Sequence, residues 1–470
     1  MRLHASRWML VPAAMLCCSC TVGPNYRRPQ LSVPPEYRNP AAPDGTAPEP
    51  ASFGDVRWWE VFEDPELQSL LKTALDRNYD IRIAATRIEQ AVANVGIVRA
   101  DQFPNAGADA GFRRTRASGA GFPFPGFSGF TTSVINVTPS ASWALDFWGR
   151  YRRATESARA QLLASESAQQ AVRASLVAAV ANAYFRLREL DLELEITNRT
   201  LEAWRTSLVL TVIREQGGVA SLVDVRQAES LVTTAIAGIP QIQQQIEQTE
   251  NLIRTLLGDN PGTVSRGLPL SQQKIPAMPP GLPSSLVARR PDIRQAEQTL
   301  IAANAQIGVA RAAYFPNVVF SAYTGYQAPS LDEFFTKRGW IWGLTPTLNV
   351  PIFTAGRIRS SVRFTEAQRD EAVLTYQRTI QEAFRDVSDA LIGFARTTEF
   401  RVQQQVLTET YRDAARLSET RYRGGVTTYL EVLDSERNVY GAELTLARAQ
   451  LSELTSLVQL YNALGGGWQQ

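Results

Sequence analysis

The stretch DIRIAATRIEQAVANVGIVRADQFPN, residues 80–105, is written again as DIRQAEQTLIAANAQIGVARAAYFPN at residues 292–317. The two align without a gap and share 12 of 26 positions, among them Gly96/Gly308 and Arg99/Arg311. A second series keeps a single offset. It pairs Gly149-Arg150 with Gly356-Arg357, Gly217-Gly218-Val219 with Gly424-Gly425-Val426, and Leu257-Gly258 with Leu464-Gly465. Self-similarity at fixed spacing marks a duplicated structural unit. Repeat 1 is read as residues 56–258 and repeat 2 as residues 259–470.

Working outward, both copies follow one plan. Asp64-Pro65-Glu66 places an N-cap and a proline at N1. Apolar positions at Leu67, Leu70, Leu71, Ala74 and Leu75, then Ile81, Ala84, Ala85 and Ile88, predict a short helix and a longer one separated near Asn78. The helix must stop at Phe103-Pro104. From there to Gly149, and from Pro316 to Gly356, the composition turns to glycine, aromatics and Ser/Thr. Trp340, Trp342, Leu344, Leu348, Val350 and Ile352 alternate with Thr345, Thr347 and Asn349, which predicts a strand, with Val318, Phe320 and Ala322 opening its partner. Each copy therefore holds one hairpin, at about 105–147 and about 317–353. The loops are expected at Gly119–Gly129 and Ala328–Arg338. Beyond each Gly-Arg pair, Leu176, Val180, Ala183, Leu187, Leu190, Leu194, Thr197, Leu201, Trp204 and Leu208 step by four and three, as in a coiled coil. Arg150 to the Gly217-Gly218 break makes a rod of roughly 100 Å, and the return from Val219 to Leu257 about 60 Å. Adding the ~40 Å helix that ends near Phe103 matches the long rod, so two helices are expected to stack end to end beside it. The fold class is mainly α with a small β part.

Composition narrows the chemistry. The 470 residues carry 48 Lys plus Arg, 46 Asp plus Glu and one histidine. Residues 1–19 hold Arg2, His4 and Arg7 and no acid. Without them the charge is 46 against 46, with no histidine. Balanced charge argues against nucleic-acid binding by counterion release. Absence of imidazole removes Ser-His-Asp catalysis and HExxH zinc sites. Cys17, Cys18 and Cys20 lie at the N-terminus, which leaves the body without disulfides, CxxC sites or a thiol nucleophile. None of Lys72, Lys274 and Lys337 completes a GxxxxGK loop, and Gly465-Gly466-Gly467 has no helix after it. No enzymatic activity, metal or cofactor is expected.

Arg2 and Arg7, followed by the apolar run Trp8–Leu16, form a signal segment over residues 1–19 that is too short to span a bilayer. Ser19-Cys20-Thr21 is similar to a bacterial lipoprotein signal, which implies diacylglycerol and N-acyl lipid on Cys20. Cys17 stands where such signals usually carry leucine, and Cys18 is the alternative acceptor. Residues 20–55, rich in proline from Pro29 to Pro50, read as an extended leash. No other stretch approaches the ~20 apolar residues of a membrane helix.

Alternating strands with Tyr and Trp near their ends resemble part of a transmembrane barrel. The alternative is a soluble pair of hairpins packed on each other. Four strands cannot close, so a barrel needs several chains, for example twelve strands from three. Cys20-Thr21-Val22-Gly23-Pro24-Asn25-Tyr26, Trp58-Trp59 before Phe62-Glu63-Asp64-Pro65-Glu66-Leu67, and the duplicated Phe-Pro-Asn resemble the TolC-like outer membrane factors, in particular their NodT-type efflux lipoproteins. Tyr429-Leu430-Glu431-Val432-Leu433-Asp434 and the paired glycine turns fit the same family.

The resemblance implies a homotrimer in the outer membrane with a twelve-strand barrel and a periplasmic helical tunnel. It also implies a membrane-fusion adaptor and an inner-membrane RND-type pump as partners. Gly217, Gly218, Gly424 and Gly425 then mark adaptor-facing tip turns. The positions matching the family's aperture are Asp224, Glu431 and Asp434, with Tyr422 as restraint. Thr427 stands where the family's best-known member has an arginine latch, and Arg421 or Arg423 could replace it. Ser221…Asp224 and Thr428…Glu431 also fit capping boxes, so capping and aperture roles are both open for those acids. Asp434 lies a turn deeper, beyond the reach of capping. The functional expectation is a passive exit duct for drugs or other small molecules. A protein-secretion duct and a poreless coiled-coil scaffold are the alternatives.

Overall fold

The computed structural model describes residues 21–30, 33–38, 52–118, 129–276 and 283–468. Residues 1–19, the acceptor candidates Cys18 and Cys20, much of the 20–55 stretch and the first hairpin's tip at 119–128 lie outside them. Repeat 1 contributes α1 (Pro65–Arg77), α2 (Tyr79–Ala100), β1 (Asn105–Ala117), β2 (Phe130–Leu145), α3 (Arg150–Gln216) and α4 (Leu222–Leu256). Repeat 2 follows with α5 (Pro283–Arg289), α6 (Pro291–Ala312), β3 (Asn317–Ala328), β4 (Trp340–Asn349), α7 (Arg357–Arg423) and α8 (Tyr429–Ala463). In the longer helices the duplication holds to the residue: α2 and α6 are each 22 residues long, α3 and α7 each 67, α4 and α8 each 35. Both repeats contribute to each of two compact units.

The first unit holds the sheet, in the antiparallel order β1-β2-β3-β4. Its register separates two faces. Leu145, Val318 and Leu348 share a row, as do Trp143, Phe320 and Pro346, and as do Ala110, Val137, Tyr326 and Trp340. Rows on the other face are polar: Asn105, Ser142, Ser321 and Thr345 in one, Asp109 and Thr138 in another. The apolar face is open, with Trp342 65% and Leu344 62% exposed. β4 is shorter than its alternation suggests. Val350 and Ile352 fall outside it, because Pro351 has no N–H for the ladder, and Ile352 is 95% exposed. The β3–β4 connection is also more than a loop. It carries a helical turn, Leu331–Phe334, whose Phe334 is buried against Tyr326 and Phe335.

Residues 21–28 are docked, which corrects the reading of a leash beginning at residue 20. The Val22 N–H donates to the Trp148 carbonyl (3.0 Å), and Arg153 donates to Asn25 Oδ1 (2.6 Å). Asn304 donates to the Pro24 carbonyl (3.0 Å), and Glu297 accepts from Tyr26 and Arg28 at 3.0 and 2.7 Å. A Cβ on Gly23 would lie 2.5 Å from Gly308 Cα, so Gly308 serves this crossing, while nothing lies within 4 Å of a Cβ on Gly96. The far end of the stretch is held too, since Phe53 is fully buried against Tyr461.

The second unit contains most of the helical rods. Asp64 caps α1 as its spacing predicts, accepting from the N–H of Glu66 and Leu67. Eight of the ten coiled-coil positions are buried, with Leu194 and Leu208 partly so. The end-to-end joint is visible in both copies. Asn78 Oδ1 accepts from Asp80 and Ile81 at the head of α2, while its Nδ2 donates to the Leu256 carbonyl at the end of α4 (2.9 Å). Arg290 occupies the corresponding place in repeat 2 and donates to the Ala463 carbonyl (3.2 Å), with Asp292 and Asp386 balancing its charge. Replacing Asn78 by Ala removes a cap and strands a carbonyl. Asn78→Ala should cost about 1–2 kcal/mol, and Asn78→Asp, which keeps the cap but turns a buried carboxylate oxygen onto the Leu256 carbonyl, should cost more. Chemical denaturation of the two variants checks the order.

Candidate functional site

The glycine turns join α3 to α4 and α7 to α8. At each, the second glycine sits in the left-handed region (Gly218 φ 74°, Gly425 φ 71°) and the first does not. Val219 N–H reaches the Arg214 carbonyl and Gly218 N–H that of Glu215. Val426 and Gly425 repeat this with Arg421 and Tyr422. These paired bonds are Schellman caps, which require a residue without Cβ strain at C′. Gly218 and Gly425 are therefore backbone devices, and Gly217 and Gly424 accompany them.

The two acids that match in the copies are used differently. Ser221 and Asp224 close a full capping box, with Asp224 Oδ2 accepting from the Ser221 N–H at 2.9 Å. The return helix accordingly begins at Leu222 and not at Val219. Thr428 makes no such cap. Glu431 instead accepts from Thr427 and pairs with Arg421 (3.3 Å) across the turn. Arg423 pairs with Glu419 on its own helix. Asp434 is exposed and accepts from Asn438 Nδ2 (3.4 Å), one turn along the same helix.

Tyr422 is largely buried. Its ring lies 5.2 Å from that of Tyr429 and 4.4 Å beneath the Arg214 guanidinium. Both tyrosines join a core with Leu201, Trp204, Leu231 and Val432 that knits the two tip hairpins together. The Tyr429 hydroxyl contacts Ser207 Oγ at 2.8 Å.

Glu436, one turn beyond Val432 and Leu433, went unnoticed in the sequence. Its Oε2 is buried without a hydrogen-bond partner among the described residues. Burial, and then the charge of Glu419, push its carboxyl up to about 7. A carboxyl raised on folding contributes stability at low pH that is lost as pH climbs through that value. The tip should therefore loosen between about pH 5 and 8, and Glu436→Gln should abolish that dependence. Hydrogen exchange of α8 amides at both pH values measures it; equal slopes in the two proteins would remove Glu436 as the cause.

A four-stranded sheet with one apolar face, one polar face and two open edges defines part of an oligomeric membrane barrel, in a chain that also contains long helical hairpins. The chain belongs to the outer membrane efflux protein family, which it matches over residues 70–259 and 282–466. It is 37% identical over 468 residues to the toluene efflux pump outer membrane protein TtgC of Pseudomonas putida, covering 98% of this chain and 95% of that one. Among solved structures it resembles the outer-membrane channel OprN (TM-score 0.87, 32% identity, 96% and 100% of the two chains). It also resembles the open state of the Neisseria gonorrhoeae MtrE outer membrane channel (TM-score 0.85, 31% identity, 96% and 99%). The protein is an outer-membrane efflux channel: its four strands form one third of a trimeric twelve-strand barrel, and its helices reach into the periplasm. These relatives are channel proteins and not enzymes.

Proposed function

We propose that the trimer is the passive exit duct of an RND-type drug efflux system, closed at its glycine-turn tips until a membrane-fusion adaptor and pump engage them. The observation that carries the gate is the position of Asp434. Asp224 is committed to a helix cap and Glu431 to Thr427 and Arg421, which leaves Asp434 as the exposed acid one turn inside the tip. Three copies around the axis make a ring of carboxylates, a geometry that concentrates cations at a narrow mouth. Arg421 takes the latch role by tying the end of α7 to the start of α8.

Planar-bilayer recording of the purified trimer tests this reading. Asp434→Ala should raise conductance or weaken block by multivalent cations, and Arg421→Gln should raise conductance. Asp224→Asn should leave both unchanged while loosening the start of α4. Unaltered conductance in Asp434→Ala would sink the gate assignment.

Lipidation at Cys20 fits the docked segment. Thr21 lies against Gly149 at the head of α3, four residues past the last residue of β2. An acyl chain on the preceding residue would begin beside the barrel's periplasmic rim. Mass spectrometry of the mature protein should find the lipid lost in Cys20→Ser and retained in Cys18→Ser; the reverse pattern would move the anchor to Cys18.

A further inference from the structure

The apolar face of the sheet ends abruptly on β1. Its outward row there runs Ala106, Ala108, Ala110, Phe112, then Arg114 and Arg116. The register fixes their orientation, because Phe112 pairs with Ile135, Arg114 with Ser133 and Arg116 with Thr131. The neighbouring outward row on β2, from Leu145 to Ile135, covers about 25 Å along the membrane normal at ~3.3 Å per residue and ~40° tilt. That is the height of the apolar band of an outer-membrane barrel. Arg114 and Arg116 therefore stand just above it, on the lipid-facing side, at the hairpin end of the strands. Both side chains are exposed, and neither makes an ion pair or a side-chain hydrogen bond among the described residues. Arg113, between Phe112 and Arg114, belongs to the opposite, polar face with Asp109.

A guanidinium aimed at lipid is costly within hydrocarbon and favourable at the headgroup level, where it meets phosphate in a bidentate fork. The sheet order adds a second element. β1 and β4 are the two edges, so closing the trimer sets β1 of one chain beside β4 of the next. β4 opens at Trp340, on the same apolar face, directly after the exposed Lys337 and Arg338. Neither cation has an ion pair among the described residues. Each seam thus sets the hairpin end of β1, with Arg114 and Arg116, beside the strand that opens after Lys337 and Arg338.

We propose that Arg114 and Arg116 form a binding site for the phosphate of an outer-leaflet lipid, one site at each seam of the trimer, with Lys337, Arg338 and Trp340 of the adjoining chain completing it. The occupant is a lipid and not a free anion, because the guanidinium groups stand at the end of an apolar row that an acyl chain can follow. The site rests on the barrel reading and is independent of the gate.

The test uses the intact trimer purified in detergent and titrated with bisphosphorylated lipid A, monitored by native mass spectrometry. Wild-type trimer should retain up to three lipids. Arg114→Gln/Arg116→Gln should bind them about tenfold or more weakly, and Arg113→Gln should bind as wild type does. Dephosphorylated lipid A should bind wild type as weakly as bisphosphorylated lipid A binds the double variant. Equal retention by wild type and the double variant would overturn the proposal, as would displacement by millimolar inorganic phosphate without the lipid. Trimer mass and single-channel conductance of the double variant report separately on the barrel: loss of both would indict assembly, and their preservation isolates the lipid site.

Discussion

Each backbone N–H and C=O on a strand edge that meets hydrocarbon without a partner costs several kcal/mol, and this chain has two such edges, on β1 and β4. No rearrangement within one chain removes them, since four strands are too few to curl shut. The penalty makes assembly obligatory in the membrane, and the register then determines what the assembly looks like. The row from Leu145 through Val318 to Leu348 must face lipid, which turns Asp109, Thr138, Ser321 and Thr345 inward. A wetted lumen follows from edge pairing with no further instruction.

The helical part answers a related constraint. In each copy a helix of 35 residues follows one of 67, so matching the long rod takes another helix placed end to end. A broken helix exposes carbonyls at one end and N–H groups at the other. Asn78 meets both needs with one side chain, accepting at the head of α2 and donating to the end of α4. Arg290 handles only the carbonyl side and carries a charge, which Asp292 and Asp386 then balance. Duplicated geometry is thus held by unlike chemistry. The same divergence reaches the tips, where Asp224 caps its helix while Glu431 is drawn across the turn to Arg421. An asymmetric tip follows from a symmetric backbone.

Much of this was legible in the residues because it is local or periodic. The Asp64 cap, the break at Asn78, the glycine turns and the two-residue alternation of the strands are each decided within a few positions. What escaped depends on neighbours far away in sequence. The Thr428…Glu431 spacing satisfies a capping box, yet Arg421 and Thr427 compete for the carboxylate. Glu436 looks like any exposed helical glutamate until α7 and Glu419 close over it. Val22 to Arg28 reads as proline-flanked linker, since its partners Arg153, Glu297 and Asn304 lie more than a hundred residues away. Gly308 sits in a repeat motif whose other copy, Gly96, has no such contact. Repetition alone could not say which of the two was needed.

A neutral chain without histidine in its body might be taken for one with little electrostatic work to do. Its charges are instead sorted by position. Many carboxylates in the rods are paired: Glu193 with Arg448, Glu443 with Arg199 and Arg412, Glu453 with Arg401. Arginine suits these buried carboxylates because it stays charged at any working pH and can keep part of its own side chain in water. Exposed ions outside such pairs remain all along the chain, from Arg82 and Glu89 on α2 to Arg363 and Glu371 on α7. Asp434 stands at the periplasmic tip, and Arg114 and Arg116 at the outer rim of the barrel. A net charge close to zero thus conceals local groups of one sign, such as Arg114 and Arg116 beyond the apolar row of β1.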